Sequence, residues 1–205
     1  MQSFENHQPV PSDFSFSFGL CYNPTMTEEK IVFIIPGFKH RPTNKAYKEI
    51  AKILKNEGYQ PILITIPWKQ ATISENTEYF LQEYKKIKAR QKYILGFSFG
   101  AIIAFNASTK VSTSGLILCS LSPYFKEDVS SSKLHCATLA KKIKAKKIHM
   151  LYGKKEAKSL IRRVSSAYRQ ISVAQKYIIP IKDTEHNIGD KRYLHTIAQI
   201  AKVLD

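Results

Sequence analysis

A serine held between two glycines is the feature of this sequence that most directly predicts chemistry. The pentapeptide Gly-Phe-Ser-Phe-Gly at 96–100 follows a short apolar run at 93–95 and precedes a helix-forming run of apolar residues. A G-x-S-x-G pattern between a strand and a helix is typical of a nucleophile elbow, a sharp turn that lifts the serine hydroxyl clear of a sheet. At Gly96 and Gly100 a side chain would collide with the neighbouring strand or helix. Ser98 is therefore the predicted nucleophile.

A serine hydroxyl is a poor nucleophile near neutral pH, so Ser98 needs a base within hydrogen-bond reach. Among the six histidines, His186 is the predicted base because it lies in the loop after the last apolar strand. From that loop an imidazole can reach the carboxyl edge of a parallel sheet, where an elbow serine is exposed. The other histidines lie before the core, in helices, in a strand or, for His40, in the loop after the first core strand.

A carboxylate between Ser98 and His186 is expected to orient the imidazole, and two acidic residues qualify. Glu156 is favoured because it closely follows the expected strand 148–152 and its glycine turn. Asp128 follows the preceding strand and remains the alternative, because geometry and not sequence position decides which carboxylate joins such a triad. The lysines that flank Glu156 should keep its carboxylate ionised.

Acyl transfer develops negative charge on the carbonyl oxygen, which preorganised backbone N–H groups must meet. The amide of Phe99, directly after the predicted nucleophile, is one expected donor. The loop Pro-Gly-Phe-Lys at 36–39 follows the first core strand and supplies the other, where Gly37 lets the backbone come close and Phe38 offers its amide. The rings of Phe38, Phe97 and Phe99 would give the site modest apolar walls, although Phe97 could also pack inward.

Six apolar runs separated by helix-forming segments indicate the elements that must position these residues. The expected strands are 31–35, 62–66, 92–96, 116–119, 148–152 and 177–181, and the expected helices are 44–57, 75–89, 99–110, 131–146, 156–168 and 190–204. Such an alternation predicts a three-layer α/β sandwich with a mostly parallel sheet and helices on both faces. Pro180 cannot donate to a ladder, which predicts that the last strand lies at an edge. Ser74 and Asp190 are the expected N-caps of their helices.

The length of 205 residues fits one domain, with a segment at 1–29 and a core at 30–205. In the segment, the alternating run 14–18 predicts an antiparallel edge strand of the same domain. The segment contains no Lys or Arg, so the positive region of a signal peptide is missing, and no apolar run in the chain reaches the ~18 residues of a membrane span. Three cysteines predict no disulfide framework. We therefore expect a cytoplasmic protein without a transmembrane segment.

The net charge of +16 comes from 32 basic and 16 acidic residues, with many of the bases between Lys141 and Arg163. A field of this sign attracts phosphates, nucleic acids, anionic lipids or acidic metabolites. A lysine-rich solvated surface is the simpler interpretation and the one we favour. The chain has no RNA-recognition signature, zinc-ligand spacing, phosphate-binding loop or dinucleotide fingerprint, so neither a specific nucleic acid partner nor a cofactor is predicted.

On these motifs the chain resembles the α/β-hydrolase superfamily from residue 30 to 205. The resemblance rests on the Pro-Gly-Phe loop at 36–38, the elbow at 96–100, and the loops of Glu156 and His186, in the order serine, acid, histidine. It implies a Ser-acid-His hydrolase that acts on an ester, thioester or amide through an acyl-enzyme. The gap between the strands 116–119 and 148–152 holds about one helix, which predicts little or no lid and an open, shallow site.

We therefore expect a serine hydrolase acting on a small acyl substrate, with a carboxylesterase or thioesterase as the leading hypothesis. If the basic surface borders the site, an anionic substrate such as the acyl thioester of a phosphorylated carrier becomes a further hypothesis. Two alternatives stay open. One is a non-catalytic protein that binds nucleic acid or other anions on a hydrolase scaffold, because fold does not determine function. The other is an acyltransferase that uses the same triad with an alcohol or amine as acceptor.

Overall fold

The computed structural model of the protein describes residues 30–68, 72–121 and 139–205. Its six strands, all parallel, are β1 (Lys30–Ile35), β2 (Gln60–Leu63), β3 (Gln91–Phe97), β4 (Thr113–Cys119), β5 (Ala145–Gly153) and β6 (Gln175–Ile181). The helices connecting them in these ranges are α1 (Lys45–Asn56), α2 (Ile73–Lys86), α3 (Phe99–Lys110), α4 (Lys158–Gln170) and α5 (Lys191–Ala201). The antiparallel strand expected at 14–18 lies outside the described residues.

Two apolar clusters on opposite faces of the sheet make the predicted three layers. One cluster joins the sheet to α2, α3 and α4, and includes Phe33, Phe80 and Val164. The other joins it to α1 and α5, and includes Tyr47 and Tyr193. Successive side chains of a strand point to opposite faces, so a strand covered on both faces is apolar throughout. The continuous burial of residues 31–35 in β1 follows from this arrangement and confirms the predicted fold class.

The strand order β2-β1-β3-β4-β5-β6 places the sheet's switch point between β1 and β3. The chain runs outward from β1 to β2, and α2 then returns it across the sheet to β3. At such a point the loops after the two central strands diverge and leave a crevice at the carboxyl edge, where α/β sheets bind ligands. The loop at 36–39 and Ser98 therefore flank one crevice, because they follow β1 and β3 respectively.

The second strand was expected at 62–66, but β2 covers 60–63. The predicted strand therefore began two residues too late and ended three residues too late. Ile64 still donates its N–H to Ile34 O at 3.0 Å, but the chain leaves the sheet there. Ile64 and Ile66 are both buried, 5% and 4% exposed, against the first cluster. A buried loop and a buried strand have the same apolar composition, so the pattern alone could not separate them.

Helix α2 begins earlier than expected because Thr72, and not Ser74, is its N-cap. The Thr72 hydroxyl accepts from Glu75 N, and the Glu75 carboxylate accepts in return from Thr72 N, which forms a capping box. This reciprocal pair satisfies two backbone donors at once, whereas a serine at 74 has no such partner three residues later. At the last helix the expected cap is confirmed, because Asp190 accepts from Arg192 N at 2.8 Å.

The helix expected over 131–146 is wrong at its carboxyl end, and residues 131–138 lie outside the described residues. Residues 141 and 142 form a turn, and β5 begins at Ala145, which pairs with Thr113 of β4. Lysines at 144, 146 and 147 interrupt the apolar pattern that marks the other strands of this sheet. They are accommodated in the structure because β5 starts at the amino edge of the sheet, where long basic side chains reach solvent.

Strand β6 lies at the edge of the sheet, as Pro180 predicted. No lid lies among the described residues, and the short connection expected between β4 and β5 falls at 122–138, outside them. Within the same described ranges, no helix combines the length and the apolar character needed to cross a membrane.

Candidate active site

Ser98 lies in the sharp turn between β3 and α3, with φ 55° and ψ −113°. A positive φ is uncommon for any residue other than glycine and persists only where the surroundings enforce it. Two contacts do so here. The N–H of Ser98 donates to Cys119 O at 2.8 Å, and α3 is buried along most of its length against the first cluster. The turn therefore holds the serine at the carboxyl edge of the sheet, as the elbow motif predicted.

The two elbow glycines are required by close backbone approaches. A Cβ added to Gly96 would lie 2.4 Å from Gly100 O, and one added to Gly100 would lie 2.3 Å from Ile35 O. Both distances are far shorter than a normal van der Waals contact, and the atoms that block the space belong to the backbone. The predicted collisions are confirmed, and the start of α3 is pressed against the end of β1.

We expect Gly100→Ala to destabilise the fold by about 3 kcal/mol through this overpacking. Alanine is the better helix former by about 1 kcal/mol, so a net loss would identify the clash as the dominant effect. Urea denaturation followed by circular dichroism measures the change. Gly189→Ala is the matched control, because its Cβ would approach nothing closer than 3.3 Å. Equal unfolding midpoints for Gly100→Ala and the wild type would contradict the prediction.

The loop after β6 brings His186 to Ser98. Its Nε2 lies 2.8 Å from Ser98 Oγ, within the reach that a base and its nucleophile require. The imidazole packs against the buried ring of Phe97 with centroids 4.9 Å apart, and 40% of the side chain is exposed. The structure therefore brings together two residues that are 88 positions apart in sequence.

Glu156 approaches the other side of the same imidazole, with Oε1 3.7 Å from His186 Nδ1. This separation is an ion-pair distance, longer than a hydrogen bond. The two loops that carry these residues are packed tightly, because a Cβ on Gly153 would lie 2.1 Å from Thr184 O. Lys155 N also donates to Thr184 O at 3.0 Å. The alternative acid, Asp128, lies outside the described residues.

The pKa of the Glu156 carboxyl group is lowered by other groups than the ones expected. Burial raises its pKa, but the contact with His186, the hydroxyl of Ser120 and the nearby backbone of Gly153 lower it by more, so the net pKa is below its ordinary value. The flanking lysines are not the cause. Lys155 lies 3.6 Å from a different carboxylate, that of Asp183.

Sequence reasoning missed two residues that contact this carboxylate. Ser120, directly after β4, donates from Oγ to Glu156 Oε1 at 2.5 Å. Tyr193, on α5, donates to the same oxygen at 3.1 Å, and the two hydroxyls also contact each other. The position of Ser120 after a strand was a usable signal. Tyr193 carried none, because an aromatic residue on the buried face of a helix is ordinary core.

The loop after β1 is held by Tyr47 of α1. The Tyr47 hydroxyl accepts from Gly37 N at 2.8 Å and lies 2.8 Å from His40 Nδ1. Burial, and secondarily the charge of His186, lower the pKa of His40, which favours its neutral form. This contact engages the Gly37 amide, so the loop is fixed at the residue directly before Phe38.

Three aromatic rings from the loop after β1, the loop after β2 and the start of α3 pack together. The centroids of Phe38 and Phe99 are 5.8 Å apart, and Trp68 lies 5.6 Å and 5.3 Å from them respectively. The two residues expected to donate backbone N–H groups therefore lie on adjacent segments. Phe97 is not part of this group, because its ring belongs to the second apolar cluster and contacts His186 and Tyr193. Trp68, which the sequence did not single out, is the third member instead.

No protein-family model matches the chain, and neither does any curated protein. Among solved structures it is similar to Est1E from Butyrivibrio proteoclasticus, with TM-score 0.69, 13% identity and 88% of each chain covered. It is also similar to dienelactone hydrolase from Anabaena variabilis, with TM-score 0.66, 15% identity, and 86% of this chain and 85% of that one covered. For monoacylglycerol lipase from Paleococcus ferrophilus the TM-score is 0.67, at 12% identity over 85% of this chain and 95% of that one. Its sheet order, its elbow turn and these likenesses together show that the protein has the α/β-hydrolase fold.

Proposed function

We propose that the protein is a serine hydrolase that cleaves a carboxylic ester or thioester through an acyl-enzyme. The observation that carries this proposal is the 2.8 Å contact between Ser98 Oγ and His186 Nε2, at a serine held with φ 55°. Support of a more general kind comes from the structural neighbours, among them a dienelactone hydrolase, a monoacylglycerol lipase and an esterase domain.

In the acylation step, Ser98 Oγ attacks the substrate carbonyl carbon while its proton passes to His186 Nε2. The resulting imidazolium is stabilised by Glu156, and the oxyanion is met by the amides of Phe38 and Phe99. When the tetrahedral intermediate collapses, the bond to the leaving group breaks, and Nε2 returns the proton to the departing alcohol or thiol. Ser98 is left as an ester of the acyl group.

In the deacylation step, a water molecule replaces the leaving group. It loses a proton to His186 Nε2, attacks the acyl carbon and forms a second tetrahedral intermediate at the same site. Collapse of this intermediate releases the carboxylic acid, and Ser98 Oγ recovers its proton from Nε2. An alcohol or amine in place of water would give acyl transfer by the same steps, so the products must be identified directly.

The aromatic group of Phe38, Trp68 and Phe99 includes the residue that follows Ser98 and the loop after β1, so we expect small apolar or aromatic groups on the substrate. Lys39 adjoins this group, with its ammonium nitrogen 5.1 Å from the centre of the Phe38 ring. The proposal therefore includes small acyl substrates that carry a carboxylate or phosphate, for which Lys39 supplies a complementary charge. A higher kcat/KM for an anionic ester than for its neutral analogue, lost as salt is added, is expected for such substrates.

The test is labelling with a fluorophosphonate probe, followed by hydrolysis assays over a panel of acyl chains, esters and thioesters. We expect one labelled site, identified as Ser98 by peptide mass spectrometry, and turnover of short acyl esters. Product analysis with and without an added alcohol separates hydrolysis from acyl transfer. A protein that neither reacts with the probe nor turns over any ester, but binds nucleic acid with a steep salt dependence, would support the binding alternative instead.

A further inference from the structure

Two serines at neighbouring strand ends both have a positive φ. Ser98 follows β3 with φ 55°, and Ser120 follows β4 with φ 52°. The N–H of each donates to a carbonyl at the end of the next strand, Ser98 to Cys119 O at 2.8 Å and Ser120 to Leu151 O at 2.7 Å. A positive φ is uncommon for serine and persists only where the surroundings enforce it, so the backbone that carries the second hydroxyl is also held in place.

The hydroxyl of Ser120 differs from that of Ser98 in its surroundings. Ser120 is fully buried, and its Oγ contacts Glu156 and not a histidine. Together with the Tyr193 hydroxyl it forms a closed triangle on Glu156 Oε1. The three oxygen atoms make three contacts with one another, and the two hydroxyl groups provide two protons for them. Burial and the charge of Glu156 raise the pKa of the Tyr193 phenol, so it keeps its proton and remains a donor.

We propose that Ser120 and Tyr193 are positioning residues that hold the Glu156 carboxylate against His186 through shared hydrogen bonds to Oε1. The kinetic consequence of this contact rests on the function proposed above. Both donors act on the oxygen that lies 3.7 Å from His186 Nδ1. The other oxygen, Glu156 Oε2, is buried without a hydrogen-bond partner among the described residues.

The need for such donors follows from the burial of Glu156, whose side chain is fully inaccessible. An isolated buried carboxylate takes up a proton, and a protonated acid cannot stabilise an imidazolium. The groups that face Glu156 are the His186 ring, the two hydroxyls and the buried Cys119 thiol. Burial and the Glu156 charge raise the pKa of that thiol, so it stays neutral and adds no second negative charge beside the carboxylate. The hydroxyls therefore add to the stabilisation that the His186 contact gives the buried carboxylate.

The first variants to test are Ser120→Ala and Tyr193→Phe. We expect each to lower kcat by about tenfold, the effect of one hydrogen bond to a charged group, with KM nearly unchanged. With one donor fewer the carboxylate is held less firmly against His186 and stabilises the imidazolium less, so the acid limb of the kcat/KM profile moves to lower pH. Because both hydroxyls act on one oxygen, the double variant is expected to lose less than the product of the single effects.

Matched controls remove buried hydroxyls of the same kind elsewhere in the fold. Tyr84 donates to Ser112 O at 2.7 Å, and Ser108 donates to Phe105 O at 2.7 Å. We expect Tyr84→Phe and Ser108→Ala to lower the thermal unfolding midpoint without moving the pH profile. A purely structural role for Ser120 and Tyr193 would give the same behaviour as these controls and would overturn the proposal.

A readout that does not depend on catalysis is the titration of the Glu156 carboxyl carbon by carbon-13 NMR. We expect this titration to move to higher pH in the Tyr193→Phe variant. The same shift is expected when Tyr193→Phe is combined with Ser98→Ala, which has no nucleophile. An unchanged titration would exclude the positioning role even in an active enzyme. If the wild type proved inactive toward the probe and all esters, the proposed function would fail, while the shifted titration would still establish the contact.

Discussion

Replacement of Ser98 by alanine is expected to lower kcat for p-nitrophenyl acetate by a factor on the order of 10⁴ or more and to remove all fluorophosphonate labelling. The reason is chemical, because alanine has no oxygen to form the acyl-enzyme and only binding and oxyanion contacts remain. Steady-state hydrolysis and in-gel labelling measure the two losses. A Ser98→Ala variant that hydrolysed the ester at the wild-type rate would show that Ser98 is not the nucleophile.

The control for this variant must separate lost chemistry from lost structure. Ser98 has φ 55°, a conformation that alanine tolerates poorly and glycine adopts freely. Ser98→Gly is therefore expected to be as inactive as Ser98→Ala but to retain wild-type thermal stability or exceed it. Inactivity in the stable glycine variant would assign the effect to the missing hydroxyl.

Glu156→Gln is expected to lower kcat by a factor on the order of 10³ to 10⁴, the loss seen when an amide replaces a triad carboxylate. The amide keeps the shape of the side chain, which lies 3.7 Å from His186 Nδ1, but carries no charge to stabilise the imidazolium. The imidazolium forms only during the reaction and is absent when the substrate binds. The loss of the Glu156 charge should therefore change KM little. Single-turnover measurements with p-nitrophenyl acetate would assign the loss to the acylation step.

Asp128→Asn is the matched variant for this prediction, because it makes the same change at the only other acid considered. We expect wild-type kinetics for it, since Glu156 already fills the position beside His186. The opposite pattern, in which Asp128→Asn is inactive and Glu156→Gln is active, would transfer the orienting role to Asp128 and leave the nucleophile unaffected.

The sequence was sufficient for features that depend on local sterics or on the two-fold periodicity of strands. The glycines at 96 and 100 were interpreted as close approaches, and the added Cβ distances of 2.4 Å and 2.3 Å confirm it. The fold class followed from the alternation of apolar runs and helices, because only parallel strands covered on both faces bury every residue. The edge position of β6 followed from Pro180, which lacks a donor.

Strand boundaries at the sheet edges were less predictable. The pattern missed residues 145–147 of β5 because their lysines reach solvent from the amino edge, and it extended β2 over Ile64 and Ile66 because a buried loop is equally apolar. In both places the environment was set by neighbouring elements and not by the residues themselves. The roles assigned to Ser98, His186 and Glu156 stay predictions until the kinetic tests above are made.

The amino-acid sequence by itself determined the order of strands and helices, the elbow turn and the loops in which a base and an acid had to be sought. The tertiary structure alone decided that Ser120 and Tyr193 contact Glu156, that Tyr47 holds the loop after β1, and that Trp68 packs against Phe38 and Phe99. The physical reason is that these contacts join segments far apart in the chain. A contact between a strand end, a helix face and a loop forms only when packing brings the three segments together. No periodicity or short motif in the sequence predicts such a contact.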